Sequence, residues 1–111
     1  MAAYIPKKGD FVALTFDPQS GHEQRGRRPA LVVSNDLFNK HTGLCIACPI
    51  TNTHRGYPFH VAIPEGQKVT GVVMVEQVKS IDFRSRDVKR IASAPEAVLE
   101  EVLSILDACI Y

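Results

Sequence analysis

The amino-acid sequence predicts a mainly β protein of the α+β class: a small, strongly bent antiparallel sheet or barrel with one C-terminal helix. Three observations lead there. The apolar runs up to Ile91 are short, rich in Val and Ile, and separated by Gly, Pro, Asn and Asp, which is a strand-and-turn pattern. Most connections between them are of hairpin length, which favours a small bent sheet. From Ser93 onward the apolar period changes to three and four residues, the mark of an amphipathic helix.

Each element follows in order. The first strand runs from Asp10 to Phe16, with Val12, Leu14 and Phe16 on one face. A polar, glycine-containing segment covers Asp17 to Arg28, and Pro29 leads into a second strand, Ala30 to Ser34. Asn35 to Gly43 reads as a helical turn, because Asn35 or Asp36 can cap its start and Gly43 can stop it. The third strand is Leu44 to Thr51. Asn52 to Pro58 is a polar loop, Phe59 to Ile63 alternates as a half-buried strand, and Pro64 to Thr70 turns. Gly71 to Glu76 is apolar enough for a central strand, Gln77 to Asp82 continues extended, and Asp87 to Ile91 adds a short strand. In the helix, Ser93-Ala94-Pro95-Glu96 has capping-box spacing, with Pro early in the first turn. Leu99, Val102, Leu103, Leu106 and Ile110 form its apolar stripe.

A chain of 111 residues is the size of one domain, taken as 1–111, and 45% apolar against 23% charged residues is a globular balance. No apolar run approaches the roughly 20 residues that cross a bilayer. The two lysines near the N-terminus are not followed by a hydrophobic stretch, so no signal peptide is read there. The expectation is a cytoplasmic protein without membrane association. A domain this small often completes its core by dimerising. The net charge of +1 hides an asymmetry: all 13 basic residues precede Ile91 alongside eight acids, leaving +5, and the last four acids lie in the terminal helix. A basic body suits a polyanion.

The cysteines are Cys45, Cys48 and Cys109, and an odd number without a secretion signal argues for reduced thiols. Cys45 and Cys48 form a C-x-x-C within a strand, where residues three apart point to opposite faces, so they are expected to fill the core rather than share a metal or a disulfide. His41, His54 and His60 have no metal-ligand spacing, and no P-loop or dinucleotide fingerprint is present. No metal or cofactor is expected.

Two basic segments and one hydroxyl carry the candidate chemistry. Gly21 to Pro29 gathers His22, Glu23, Arg25, Arg27 and Arg28 between glycines that let the backbone approach a ligand. Guanidiniums suit phosphate because their planar fork bonds it in bidentate fashion. By composition alone a solvated hairpin loop with scattered charges is the favoured reading. Lys79 to Arg90 holds five basic residues and two acids. If extended, it sets Asp82, Arg84 and Arg86 on one face and Phe83 in the core; an edge strand guarded by charge is the alternative. Thr51 ends a strand where its hydroxyl can donate to a phosphate oxygen, although Thr is also simply a β-friendly residue.

The ordered set of motifs adds more. Gly9-Asp10, Phe16-Asp17-Pro18 and Gly21-His22-Glu23-Gln24 are followed by Gly26-Arg27-Arg28-Pro29-Ala30-Leu31-Val32-Val33-Ser34, Cys48-Pro49-Ile50-Thr51 and Gly56-Tyr57-Pro58-Phe59. Gly71-Val72-Val73 and Glu76-Gln77-Val78-Lys79-Ser80-Ile81-Asp82 complete it. Over nearly the whole chain this resembles the MazF/PemK family of toxin–antitoxin ribonucleases. The resemblance implies a twisted antiparallel sheet of SH3-like barrel type with a terminal helix, in a symmetric homodimer. It implies metal-independent cleavage of single-stranded RNA at a short preferred sequence, leaving a 2′,3′-cyclic phosphate and a 5′-hydroxyl. It also implies a MazE- or PemI-like antitoxin whose C-terminal segment occupies the RNA groove.

Carried over residue by residue, Arg28 matches the family's catalytic Arg and Thr51 its phosphate-contacting Thr. Glu23 matches a carboxylate that is the candidate general base or else orients Arg28, with His22 as rival acid or base. Substrate grip is expected from Arg25, Arg27, Lys79, Arg84 and Arg86, joined by Gln77, Ser80 and Asp82 of the Q-V-K-S-I-D motif; Asp82 also matches a carboxylate implicated in catalysis in some members. The first strand carries Phe11 and Val12 where relatives often have Trp or Tyr, a matter of packing. The same fold class includes the CcdB toxin, a non-enzymatic DNA gyrase inhibitor, which is the alternative reading; the chain's end, Ala108-Cys109-Ile110-Tyr111, is not a convincing match to it. A proline-binding SH3 module is a third reading, poorly served by a chain with no Trp.

Overall fold

The computed structural model describes residues 3–15, 27–53, 56 and 58–111. Seven strands make an antiparallel sheet: β1 (Asp10–Leu14), β2 (Arg28–Val32), β3 (Leu44–Thr51), β4 (His60–Ala62), β5 (Val72–Met74), β6 (Lys79–Asp82) and β7 (Lys89–Ser93). Helix α1 (Asp36–Thr42) lies between β2 and β3, and α2 (Glu96–Ile110) closes the chain. The sheet order is β4-β5-β3-β2-β1-β7, with β6 also on β3. Strand β3 therefore has β2 on one edge, while its other edge takes β6 along the first half and β5 at the end.

The alternation of β3 divides the interior in two. Cys45 and Ala47 face one apolar cluster with Val12, Leu14, Ala30, Val32, Ile81 and Phe83. Cys48 and Ile50 face the other with Phe11, Leu31, Val61 and Val73, which Val98 and Val102 of α2 cover. Both sides of the strand are buried, as a nearly continuous apolar run demands. The two thiols point into opposite clusters, as their spacing predicts.

Helix α1 forms as the local signals require. Asn35 accepts from the Phe38 N–H at 2.9 Å, and Gly43 adopts φ 75° with its N–H on the Asn39 carbonyl. Other expectations need correction. The anticipated strand Gly71 to Glu76 ends at Met74, and Val75–Gln77 is a 3-10 turn that carries the chain to β6. Ser93 does not cap α2: it belongs to β7 and its hydroxyl accepts from Arg90 Nη2 at 2.6 Å. Pro95 is the cap residue, and without a side-chain hydrogen bond. Val98, absent from the predicted stripe, is buried, whereas Ile110 at its end is 72% exposed because it projects beyond the sheet. Segment 83–87 is a turn rather than extended chain, since Asp82 Oδ1 accepts from the main-chain N–H groups of Arg84 and Ser85. Arg84 and Arg86 consequently do not line one strand face. Phe83 is core, as expected, with the Arg84 guanidinium over its ring. Among the described residues, no helix is long and apolar enough to cross a membrane.

One buried polar residue ties four segments together. Asn39 is fully buried; its Nδ2 donates to the Pro6 carbonyl at 2.7 Å and the Ser34 carbonyl at 3.2 Å. The Ser34 hydroxyl donates to Asn39 Oδ1 and accepts from the Ile46 N–H at 2.8 Å. Removing the amide strands those partners without water. Asn39→Ala is expected to lower unfolding free energy by roughly 2–3 kcal/mol, measured by urea titration, with an unchanged slope.

Candidate active site

Strand register builds the site. Strands β2 and β3 pair with Ala30 opposite Pro49, Leu31 opposite Cys48 and Val32 opposite Ala47. This pairing ends at Ala30 and Pro49; Arg28 and Thr51 lie two residues beyond it, at the same end of β2 and β3. Strand alternation puts both on the sheet face of Ala30, Val32, Cys45 and Ala47. Leu14 pairs with Arg28, and Val72 with Thr51. Arg28 is exposed, and Thr51 is half-buried. Thr51 Oγ1 accepts from the Thr53 N–H at 3.1 Å. Accepting engages a lone pair, so the hydroxyl retains its donor capacity. A permanent cation and an O–H donor on one sheet face, at the same end of two paired strands, are suited to a phosphate diester.

The remaining candidates lie at different stations. Lys79 opposes Ala47, Ser80 opposes Ile46 and Asp82 opposes Leu44. At about 3.3 Å per residue, Asp82 is thus set back from Thr51 by roughly 20 Å along β3. Gln77 lies in the 3-10 turn and is exposed, as are Lys79, Ser80, Asp82 and Arg84. Arg27 is held by the fold: Nη1 pairs with Asp87 Oδ2 at 3.3 Å, and Nη2 donates to the carbonyls of Ala13, at 2.7 Å, and Asp87. Arg86 Nη1 donates to the Thr15 carbonyl at 3.0 Å. The two arginines therefore anchor the end of β1. His22, Glu23 and Arg25 lie outside the described residues.

A groove of about 260 Å³ is lined by Ala13, Arg27, Pro29, Asn52, Thr70 and Ile91 among others, and so by sequence neighbours of Arg28 and Thr51 rather than by those two residues themselves. Thr70 and Gly71, which the sequence analysis gave no role, meet the Thr51 segment here. The Thr70 hydroxyl donates to Asn52 Oδ1 at 3.0 Å, and Gly71 packs on the Thr51 carbonyl. The available signal was a lone Gly immediately before a strand.

The family model described as "PemK-like, MazF-like toxin of type II toxin-antitoxin system" matches residues 7–110. The chain belongs to this toxin family. A MazF/PemK-family relative, the endoribonuclease toxin MazF of Escherichia coli K12, is 43% identical over 97 residues, 86% of each chain. The crystal structure of MazF from Deinococcus radiodurans is similar with a TM-score of 0.87 and 47% identity, covering 97% of this chain and 98% of that one. A MazE–MazF crystal structure from the same organism gives 0.88 and 45%, covering 96% and 97%. These matches favour the ribonuclease reading over the gyrase-inhibitor alternative.

The two buried thiols lie in separate apolar clusters. Burial pushes Cys45 up to about 11 and Cys48 up to about 12, the Glu76 carboxylate adding to the latter. Among the described residues, no group of three His, Cys, Asp or Glu could hold a metal ion. Cys109 is exposed. Iodoacetamide at pH 8 is expected to label Cys109 in the native protein and to reach Cys45 and Cys48 only after unfolding, as read by mass spectrometry. Because both buried thiols hold their protons above the ordinary value of 9.0, their contribution to stability is intact below that pH and is lost as pH rises through about 11.

Proposed function

We propose that this chain, an endoribonuclease toxin of the MazF/PemK family, cleaves single-stranded RNA by directing the substrate's own 2′-hydroxyl onto the adjacent phosphate. The 2′ oxygen forms a bond to phosphorus as the bond to the 5′ oxygen breaks. The 2′ proton passes to a base and the 5′ oxygen gains a proton, leaving a 2′,3′-cyclic phosphate and a 5′-hydroxyl. The substrate supplies the nucleophile, so the protein must hold the phosphate in line and stabilise its added negative charge. The observation that supports this reading is that Arg28 and Thr51 stand at the same end of the paired strands β2 and β3, on one sheet face, two residues beyond Ala30 and Pro49.

In this mechanism the Arg28 guanidinium bonds the equatorial oxygens of the pentavalent phosphorus, and the Thr51 hydroxyl positions one non-bridging oxygen. Arg28 is a poor proton donor, since guanidinium keeps its proton far above neutral pH. Glu23 is the proposed base and His22 the rival for either proton transfer. No step is assigned to a metal. Arg25, Gln77, Lys79, Ser80, Arg84 and Arg86 are proposed to grip the strand, phosphates fixing its path while splayed bases are read at their edges. Arg27 and Asp82 are also proposed for that grip; these two and Arg86 have side-chain bonds to the fold that restrict their reach to RNA.

The proposal includes one domain over 1–111, a homodimer and a MazE- or PemI-like antitoxin. The antitoxin proposal is supported by the MazE–MazF complexes among the similar structures. Exposed Leu37, Phe38 and Leu44 at the α1–β3 junction provide apolar surface of the kind a dimer covers.

The test is incubation with long single-stranded RNA in EDTA, followed by mapping of product ends. Wild type is expected to cut at a recurring short sequence and leave cyclic phosphate. Arg28→Ala is expected to lose about 100-fold or more in cleavage rate while keeping its melting temperature. Cleavage by Arg28→Ala at the wild-type rate would overturn the assignment.

A further inference from the structure

Thr51 is the last residue of β3 and pairs with Val72 of β5. Three further contacts hold the chain as it leaves that pair. The Thr53 N–H donates to Thr51 Oγ1 and closes a turn over residues 51–53. The middle residue of that turn, Asn52, is held through its Oδ1 by the Thr70 hydroxyl. Gly71 then lays its main chain directly on the Thr51 carbonyl. A Cβ at Gly71 would overlap that carbonyl oxygen, and would lie 2.9 Å from its carbon and 3.0 Å from Asn52 Oδ1. Its φ of +113° is also unfavourable for any side chain. From the far side the Ile63 N–H donates to the Gly71 carbonyl at 3.0 Å, so Gly71 is itself fixed.

We propose that Thr70 and Gly71 are positioning residues for the cleavage reaction. Thr70 acts through Asn52 and Gly71 through the Thr51 main chain. Together they hold the 51–53 turn so that the Thr51 hydroxyl meets the phosphate engaged by Arg28. This inference rests on the assignment of Thr51 to that phosphate. Thr70 is exposed, and its hydroxyl has no packing function that Val would abolish. A stability effect from Thr70→Val is therefore expected to be small, while the geometry of the turn loses its clasp.

The test is a double-mutant cycle in the full chain, reading kcat, KM and melting temperature on an RNA oligonucleotide that spans a mapped cleavage site. Thr70→Val is expected to lower kcat about tenfold with KM within about twofold and the melting temperature near wild type. Thr70→Ser, which keeps the hydroxyl, is expected to restore most of the rate. In a Thr51→Ala background, Thr70→Val is expected to change kcat by less than about twofold, because the group it positions is gone. Equal losses in both backgrounds, or no loss in either, would overturn the positioning role. A Thr51→Ala protein with wild-type kcat would instead remove the Thr51 assignment, and the inference with it. Gly71→Ala is expected to lower both rate and melting temperature, so the Thr70 variants carry the decision.

Discussion

The structure depends on one strand. β3 is hydrogen-bonded on both edges and buried on both faces, and three other strands take their register from it. A slip by one residue would exchange its two faces, moving Cys45 and Ala47 out of one core and Cys48 and Ile50 out of the other. The same slip would turn Thr51 to the opposite face. The apolar alternation that fills two cores thus also fixes the face on which the Thr51 hydroxyl stands.

Several arginines are bonded to the fold. Arg27 is tied to the β1 end and the 83–87 turn. Arg86 holds the Thr15 carbonyl. Arg90 pairs with the buried Asp10, which also accepts from the Tyr4 hydroxyl and the Lys7 N–H. That environment, through burial first and the Asp10 carboxylate second, pushes the Tyr4 phenol well above its ordinary range. The formal charge of the body therefore overstates the number of cations whose first partner would be RNA. A cation already bonded to carbonyls or a carboxylate adds long-range field, but its donors are committed.

In the proposed mechanism the substrate's own hydroxyl is the nucleophile, so a shallow surface site at strand ends suffices for a phosphate held by a cation and a donor. Where β3 leaves the sheet, the Thr70–Asn52 bond and the close approach of Gly71 hold the main chain.

Much of this was legible in the chain because it depends on short-range rules. The bounds of β3, the Asn35 and Gly43 caps of α1, the opposed cysteines and the buried Phe83 all follow from residue type and a period of two or a local cap. The motif resemblance pointed to the family and to Arg28 and Thr51 as a set. Tertiary structure decided the rest. Ser93 had cap spacing but was drawn into β7, where Arg90 takes its hydroxyl. Residues 83–87 alternate like a strand, yet the Asp82 carboxylate folds them into a turn. Val75 joined an apolar run but turns into a 3-10 segment that redirects the chain. The meeting of Thr70 with Asn52 links positions 18 residues apart, beyond the reach of any local rule. Periodicity and capping are properties of neighbours along the chain, whereas register is chosen by two buried faces at once, and only the folded sheet makes that choice.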